Sequence, residues 1–219
     1  MNSFIVLCSV AGLMALSSVA YLAQSADRPY SKKLCPYLSV AVTSIAFLSY
    51  FAMSLGIGIT EVDGRPFYQA RYWDWALTTP LLLIDLGCFA KAPTSEIFYA
   101  VSFDILMVLA GLIGCMVGGL AKWYFFGLGM LFFIPVIQVL FTSFKESSEL
   151  SDDSKKKYMQ LAVMIAALWS FYPLVWIAAE GTQLISPFIE ITLYAVLDVC
   201  AKCVFGFVLI NDESLKKPQ

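Results

Sequence analysis

The stretch LISPFIEITLYAVLDVCAKCVFGFVLI, residues 184–210, decides the fold class of this chain. From Ile191 onward its only charged residues are Asp198 and Lys202. A stretch of this length can cross the hydrocarbon core of a bilayer, where a lysine costs roughly 2.5 to 3.5 kcal/mol. The i, i+4 spacing puts both side chains on one helix face, where the carboxylate can compensate the ammonium group. Lys202 is therefore a candidate functional residue, and the alternative is a plain buried ion pair that holds two helices together.

The overall composition indicates an integral membrane protein. Of the 219 residues 60% are hydrophobic and only 14% are charged, which is unusual for a water-soluble domain. We expect an all-α bundle that forms a single domain over residues 1–219, and we expect the first apolar stretch to be a transmembrane helix rather than a cleaved signal. Seven spans of sufficient length can be drawn, near residues 3–23, 36–59, 70–90, 96–120, 123–143, 158–179 and 184–210.

The distribution of basic residues predicts the orientation in the membrane. The side reached after an odd number of spans carries Arg28, Lys32, Lys33, Lys91, Lys145, Lys155, Lys156, Lys157, Lys216 and Lys217. The other side has only Arg65 and Lys122, with Arg71 at a helix entrance. The positive-inside rule then places the amino terminus outside and the carboxyl terminus in the cytoplasm of a multi-pass protein, for which we expect the plasma membrane. The formal charge of -2 gives no indication of nucleic acid binding.

The sequence argues against metal chemistry. It contains no histidine, which excludes histidine-dependent catalysis and the commonest metal ligand. Its six cysteines lie mostly within apolar spans, where we expect them to behave as small hydrophobic residues. We therefore expect neither a disulfide framework nor a metal site.

Two connections between spans have recognisable composition. Residues 61–69 contain an Asp-Gly pair flanked by short extended runs, which predicts a β-hairpin on the outer side, with an irregular loop as the alternative. Residues 145–157 mix both charge signs with serines, which is typical of a solvated cytoplasmic loop.

The third span carries an unusual set of polar residues, namely Arg71, Asp74, Thr78 and Asp85. At about 100° and 1.5 Å per residue, Asp74 and Asp85 differ by about 20° in direction and about 16 Å in height. They therefore share one face at different depths, and the cost of charge in lipid predicts that this face lies inside the bundle. Burial favours a protonated Asp85, suited to donating a proton, whereas nearby cations favour an ionised Asp74.

The sixth span carries an aromatic face formed by Trp169, Tyr172, Pro173 and Trp176. Such a stripe is often ordinary helix packing, but with Trp75 opposite it could enclose a flat, conjugated ligand. A proline in the middle of a membrane helix can also act as a hinge.

Together these residues form a pattern that resembles the microbial (type 1) rhodopsins, and most closely the bacteriorhodopsin-like, light-driven proton pumps. The resemblance covers essentially all seven spans. Three motifs carry it: Arg71-Tyr72-Trp73-Asp74-Trp75 with Thr78-Thr79-Pro80, Trp169-Ser170-Phe171-Tyr172-Pro173 with Trp176, and Leu197-Asp198-Val199-Cys200-Ala201-Lys202. In this chain Phe126 stands where the family has a pocket tryptophan, and Trp73 replaces a smaller residue beside Asp74.

The resemblance implies a cofactor and a role for each polar residue. Lys202 would carry all-trans retinal as a protonated Schiff base, with Asp74 as primary counterion and proton acceptor and Asp85 as cytoplasmic proton donor. Asp198 would be the second counterion, with Tyr50 and Tyr172 as its hydrogen-bonding partners. Thr78 would hydrogen-bond Asp74, Arg71 would move between the counterions and the exit, and Glu180 and Glu190 would form the extracellular release pair. The polyene pocket would be lined by Trp75, Thr79, Leu82, Met107, Gly111, Trp169, Tyr172 and Pro173, with Asp104 opposite Thr79.

The implied function is a light-driven outward proton pump, which is transport and not enzymatic catalysis. A light-gated cation channel is the main alternative, because it can retain the same three carboxyl positions. A sensory photoreceptor is the weaker one, because the tail after Asn211 is too short for a signalling domain. The expected partners are the lipid bilayer and protons, with a homo-oligomer such as a trimer as a further possibility.

Overall fold

The computed structural model describes residues 3–145, 151–212 and 215. Its long helices are α1 (Ser3–Ala26), α2 (Leu34–Ser54), α3 (Gln69–Phe89), α4 (Thr94–Val117), α5 (Ala121–Phe141) and α6 (Asp152–Trp176), followed by α7 (Pro187–Asp198) and α8 (Phe205–Ile210). A π-helical segment, Val199–Val204, joins α7 to α8, so that Pro187–Ile210 forms one continuous seventh span. A second π-helical segment, Ile177–Gly181, extends α6. The predicted seven-helix membrane bundle is confirmed.

Helix α3 differs from the other spans in composition. Among the described residues, six helical segments are long and apolar enough to cross a membrane by themselves, and α3 is not one of them. The reason is its content of Arg71, Asp74 and Asp85, all of which are buried inside the bundle. Helix α3 therefore contributes buried charged groups to the polar interior, together with Asp198 and Lys202 of the seventh span.

Several helix ends differ from the predicted spans because capping residues override hydropathy. Helix α2 ends at Ser54 rather than near residue 59, since Gly56 and Gly58 have positive φ angles of 78° and 72°. Helix α4 ends at Val117, before Gly118 with a φ of 66°. Helix α7 begins at Pro187 rather than at residue 184, with Ser186 as its N-cap and proline at the first helical position.

Helix α6 begins earlier than its apolar pattern indicates. Ser151 caps it by accepting a hydrogen bond from the main-chain N–H of Ser154 at 3.3 Å, and Asp152 and Asp153 favour its first turn. The prediction of a loop over residues 145–157 is therefore wrong from Asp152 onward. Residues 146–150 of that loop lie outside the described residues, as do the topogenic Lys216 and Lys217.

The predicted hairpin is confirmed. Strands β1 (Thr60–Val62) and β2 (Arg65–Phe67) are antiparallel, with Val62 opposite Arg65. The two turn residues, Asp63 and Gly64, have φ angles of 53° and 72°, as a type I′ turn requires. This turn places the hairpin over the extracellular ends of the helices, where the main-chain N–H of Gly119 donates to Asp63 Oδ2 at 3.1 Å.

The buried arginine Arg28 fastens the cytoplasmic end of the seventh span. Its Nη2 donates to the main-chain oxygen of Ile210 at 2.7 Å and its Nη1 to that of Leu215 at 3.3 Å. The Ile210 carbonyl lies at the C-terminus of α8, where it has no partner within the helix and a cation is favourable, whereas Leu215 lies in the segment that follows.

We therefore expect Arg28→Gln to lower the free energy of unfolding by about 2 kcal/mol, the value of hydrogen bonds to a charged group. The measurement is the midpoint of thermal denaturation in detergent. Lys33→Ala is the control, because its hydrogen bond to the main-chain oxygen of Ala26 is exposed. Equal midpoints for the two variants would contradict the assigned role of Arg28.

Candidate functional site

Lys202 lies at the centre of the bundle, in the π-helical segment of the seventh span. Its ammonium group donates a hydrogen bond to Asp74 Oδ2 on α3 and lies 3.4 Å from Asp198 Oδ1. All three side chains are almost completely excluded from solvent. The lysine is thus paired with two carboxylates from two helices, and π-helical segments of this kind occur frequently at functional sites.

Asp198 is held by donors from three other helices. Its Oδ2 accepts a hydrogen bond from Tyr50 at 2.7 Å, and its Oδ1 accepts from Tyr172 at 2.7 Å and Trp75 Nε1 at 3.2 Å. Three donors can stabilise a buried carboxylate in its ionised form. Asp198 is therefore suited to remain a fixed negative charge beside Lys202.

The carboxylate of Asp74 accepts fewer hydrogen bonds than that of Asp198. Its Oδ1 is buried and has no hydrogen-bond partner among the described residues. Thr78 donates to the main-chain oxygen of Asp74 at 2.8 Å rather than to the carboxylate, as threonines inside helices commonly do. The predicted contact between Thr78 and Asp74 is thus a contact with the backbone. The free oxygen leaves Asp74 with a position that can take a proton.

Asp85 lies in the cytoplasmic half of α3, away from this charged cluster. Its side chain is 0% exposed, and its Oδ2 accepts a hydrogen bond from Ser39 of α2 at 2.9 Å. Ser39 is a site residue that sequence reasoning missed, because a single serine in an apolar helix carries no distinctive signal. The apolar side chains packed in this half form what we call the cytoplasmic apolar cluster, which consists of Leu82, Leu83, Leu86, Phe89 and Phe205.

The extracellular acids meet at Arg71. Its Nη1 lies 2.7 Å from Glu190 Oε1 and 3.8 Å from Glu180 Oε1, and its guanidinium carbon lies 4.3 Å from the centre of the Tyr194 ring. Arg71 therefore points towards the extracellular pair, and the described contacts do not join it to Asp74 or Asp198.

Two further cations reach the same acids, although their sequence context predicts only a role in membrane topology. Arg65 Nη2 of the hairpin lies 2.7 Å from Glu190 Oε2, and Lys122 of α5 donates to the main-chain oxygen of Glu180 at 2.7 Å. Their partners are 125 and 58 residues away along the chain, so no local spacing could reveal these contacts.

An aromatic cavity lies beside Lys202. Seven of the eight predicted pocket residues line it, namely Trp75, Thr79, Met107, Gly111, Trp169, Tyr172 and Pro173. Leu82 is not among the lining residues and instead belongs to the cytoplasmic apolar cluster. A side chain at Gly111 would place its Cβ 3.2 Å from the ring of Tyr72, so any larger residue would crowd this aromatic side chain.

The two positions that differ from the family pattern have different surroundings. Phe126 lines the cavity and stacks on Trp176, with ring centres 4.7 Å apart. Trp73 is 57% exposed, and an outward-facing side chain of this kind lies against lipid, away from the cavity. Thr79 on the cavity wall donates to Asp104 Oδ2 at 2.6 Å and so couples α3 to α4.

The cavity and the charged cluster around Lys202 are adjacent, because two residues take part in both. Trp75 and Tyr172 belong to both, because each lines the cavity and donates to Asp198. Flat aromatic walls suit a planar polyene. The unpartnered Asp74 Oδ1 provides a polar position close to the lysine. This fold and site define a class of seven-helix membrane proteins that have an aromatic cavity next to a buried lysine paired with two carboxylates.

The chain belongs to the bacteriorhodopsin-like family, whose model, described as "Bacteriorhodopsin-like protein", matches residues 1–213. It is 33% identical over 216 residues to cruxrhodopsin-3 of Haloarcula vallismortis, covering 92% of this chain and 86% of that protein. It is also 32% identical over 202 residues to sensory rhodopsin-2 of Natronomonas pharaonis, covering 91% and 82%. The crystal structure of the light-driven proton pump of Coccomyxa subellipsoidea superposes with a TM-score of 0.91 at 34% identity, covering 95% of each chain.

Membership of this family has two direct consequences. It implies a retinal chromophore, and it places the chain among transporters and photoreceptors. The chain is an integral, multi-pass membrane protein, and the plasma membrane is the usual location of such proteins.

Proposed function

We propose that this protein is a light-driven pump that moves protons out of the cell, with retinal bound to Lys202 as a protonated Schiff base. The observation that carries the proposal is the placement of acids on both sides of Lys202. Asp74 contacts the lysine, Asp85 lies about 16 Å further towards the cytoplasm on the same helix, and Glu180 and Glu190 lie on the outer side.

Retinal would be held by the aromatic cavity walls and by Lys202. When bound, it supplies light absorption and an isomerisation that lowers the affinity of the lysine nitrogen for its proton. Asp74 is the base in contact with that nitrogen, and its Oδ2, which accepts the hydrogen bond, can take the proton while the electron pair of the N–H bond stays on the nitrogen. Three hydrogen-bond donors stabilise the ionised form of Asp198. Asp198 therefore remains a negative charge near Lys202 when Asp74 becomes neutral.

Asp85 is suited to return a proton from the cytoplasmic side. A carboxyl group buried among apolar side chains favours its protonated form, and Ser39 orients it. Asp74 and Asp85 therefore differ in environment as a proton acceptor and a proton donor should. Pro173 in α6 is positioned to serve as the hinge that changes access between the two transfers.

The cytoplasmic apolar cluster supports a pump rather than a channel. Leu82, Leu83 and Leu86 are each at most 3% exposed, and Phe205 is 0% exposed. Closely packed apolar side chains resist the passage of hydrated cations. A pump needs such a barrier, since passive flow would cancel its work.

The proposal is tested by voltage clamp of cells that express the protein and are supplied with retinal. We expect an outward photocurrent that keeps its sign across an ordinary voltage range, and acidification of the medium that a protonophore abolishes. A photocurrent that reverses at the equilibrium potential of a cation would reject the pump and favour the channel. The absence of any photocurrent from a correctly inserted, coloured protein would favour the sensor.

A further inference from the structure

We propose that Arg65 divides the extracellular acid pair into unequal partners, so that Glu190 is a permanently ionised anchor and Glu180 carries the proton that leaves the protein. Arg65 is thus a positioning residue for proton release. The inference rests on the proposed pump function, because it assigns the last step of outward transfer.

Glu190 is bound by two arginines at once. Arg65 Nη2 contacts its Oε2 and Arg71 Nη1 contacts its Oε1, each at 2.7 Å, and the Glu190 side chain is 1% exposed. Charge-assisted hydrogen bonds of this length are among the strongest in proteins. Protonation of Glu190 would leave two largely buried cations without their counter-charge, which is strongly unfavourable. Glu190 therefore stays ionised.

Glu180 has the opposite surroundings. Its Oε1 has no hydrogen-bond partner among the described side chains and lies 3.8 Å from Arg71 Nη1, and its Oε2 accepts only a long hydrogen bond of 3.4 Å from Tyr194. The nearby Lys122 donates to the main-chain oxygen of Glu180 and lies 3.6 Å from Asp63 Oδ2. A poorly solvated carboxyl with few donors is the member of the pair that favours binding a proton.

A cavity lined in part by the hairpin provides a route by which a proton can leave Glu180. A small vestibule on the extracellular side brings the polar side chains of Asp63, Arg65, Lys122, Glu180 and Gln183 together with the apolar residues Val62, Pro66, Phe67 and Cys115. The type I′ turn at Asp63 and Gly64 sets the position of Arg65, and Arg65 Nη1 is fixed by the main-chain oxygen of Ile185 at 2.7 Å. The guanidinium group is thus held between Glu190 and the vestibule.

The release step follows from these contacts. The O–H bond of Glu180 breaks, its electron pair stays on the carboxylate, and the proton passes to water in the vestibule. Arg71, already 3.8 Å from Glu180 Oε1, can then pair with the new carboxylate. Neutralisation of Asp74 favours this step, because it removes a negative charge that attracts Arg71 inwards.

The test uses the full-length, retinal-bound protein in sealed lipid vesicles, with a pH-sensitive dye on the extracellular side and a laser flash. We expect Arg65→Gln to delay proton release about tenfold, because Glu190 loses one of its two charge-assisted hydrogen bonds and can share the proton. Arg65→Lys keeps the cation but loses the fork that also reaches Ile185, so its release rate should lie between those of the unmodified protein and Arg65→Gln. Glu180→Gln should abolish the early release, by which we mean the release of a proton to the extracellular side before a proton is taken up from the cytoplasm.

Arg28→Gln is the matched control, since it removes a buried arginine from the cytoplasmic side and should leave release timing unchanged. Unaltered release in Arg65→Gln, or a delay that Arg65→Lys fails to rescue, would overturn the role of Arg65. Early release that persists in Glu180→Gln would overturn the role of Glu180. If the unmodified protein transports no protons under continuous light, the proposed function fails instead, which the same vesicles reveal.

Discussion

Replacement of Asp74 by asparagine should reduce light-driven proton transport at least about 100-fold, the usual contribution of a positioned proton acceptor. Asp74 contacts Lys202 directly, and its Oδ2, which accepts the hydrogen bond from the lysine nitrogen, is the position where that proton can be taken up. An amide has nearly the same shape as a carboxylate but cannot accept that proton. The measurement is the initial rate of acidification of a cell suspension under saturating light, normalised to the amount of bound chromophore.

Asp104→Asn provides the matched control. Asp104 is equally buried, lies on the neighbouring helix α4 and accepts a hydrogen bond from Thr79, which an asparagine oxygen can also accept. It lies outside the line of acids on α3, so we expect this variant to retain transport. Substantial acidification by the Asp74→Asn variant would show that another group accepts the proton, and Asp198 would be the first candidate because it lies 3.4 Å from Lys202 Nζ.

The parts of the fold set by local patterns could be predicted from the sequence. The type I′ turn follows from the neighbouring Asp63 and Gly64, and the pairing of Asp198 with Lys202 follows from one helical turn of spacing. Helix ends were less predictable, because hydropathy indicates which residues lie in the lipid bilayer and does not indicate where the hydrogen-bonded helix ends. Helix α6 illustrates this, since it begins at a serine cap and two aspartates outside the apolar stretch.

The parts of the site that depend on distant contacts could not be predicted. Glu190 meets Arg65 across 125 residues, and Asp85 meets Ser39 across 46, so neither pair leaves a periodic signal. Arg65 looked like one of few extracellular charges, and only the fold reveals that it is held by Glu190. The predicted hydrogen bond between Thr78 and Asp74 is made to the main-chain oxygen, because a threonine inside a helix can satisfy its hydroxyl on the preceding turn.

In the proposed pump, the asymmetry between the two halves of the bundle would set the direction of proton transport. On the extracellular side, ionised and polar groups continue from Lys202 through Arg71 to the vestibule. On the cytoplasmic side, Asp85 is the buried acid that α3 contributes, and it is surrounded by the cytoplasmic apolar cluster. A proton leaving the lysine therefore finds charge-stabilised acceptors outward, whereas reprotonation from the inside depends on one internal acid.

That dependence predicts the effect of Asp85→Asn. Without an internal donor, the proton must come from the cytoplasmic solution through apolar packing, so reprotonation should slow about 100-fold. Its rate should also rise in proportion to the proton concentration of the medium, because the step has become bimolecular. The measurement is the recovery of the chromophore absorbance after a flash, recorded over a series of pH values.

Ser39→Ala separates the proton donor from its surroundings. This variant keeps the carboxyl of Asp85 and removes the hydroxyl group that donates to it at 2.9 Å. We expect a smaller change in the recovery rate, within about tenfold, as for the loss of one hydrogen bond, and no proportionality to the proton concentration.

If the recovery of Asp85→Asn were as fast as that of the unmodified protein at every pH, the proton would reach Lys202 by a route that bypasses α3. The cytoplasmic apolar cluster would then be no barrier, and the case for a pump over a channel would lose its structural basis.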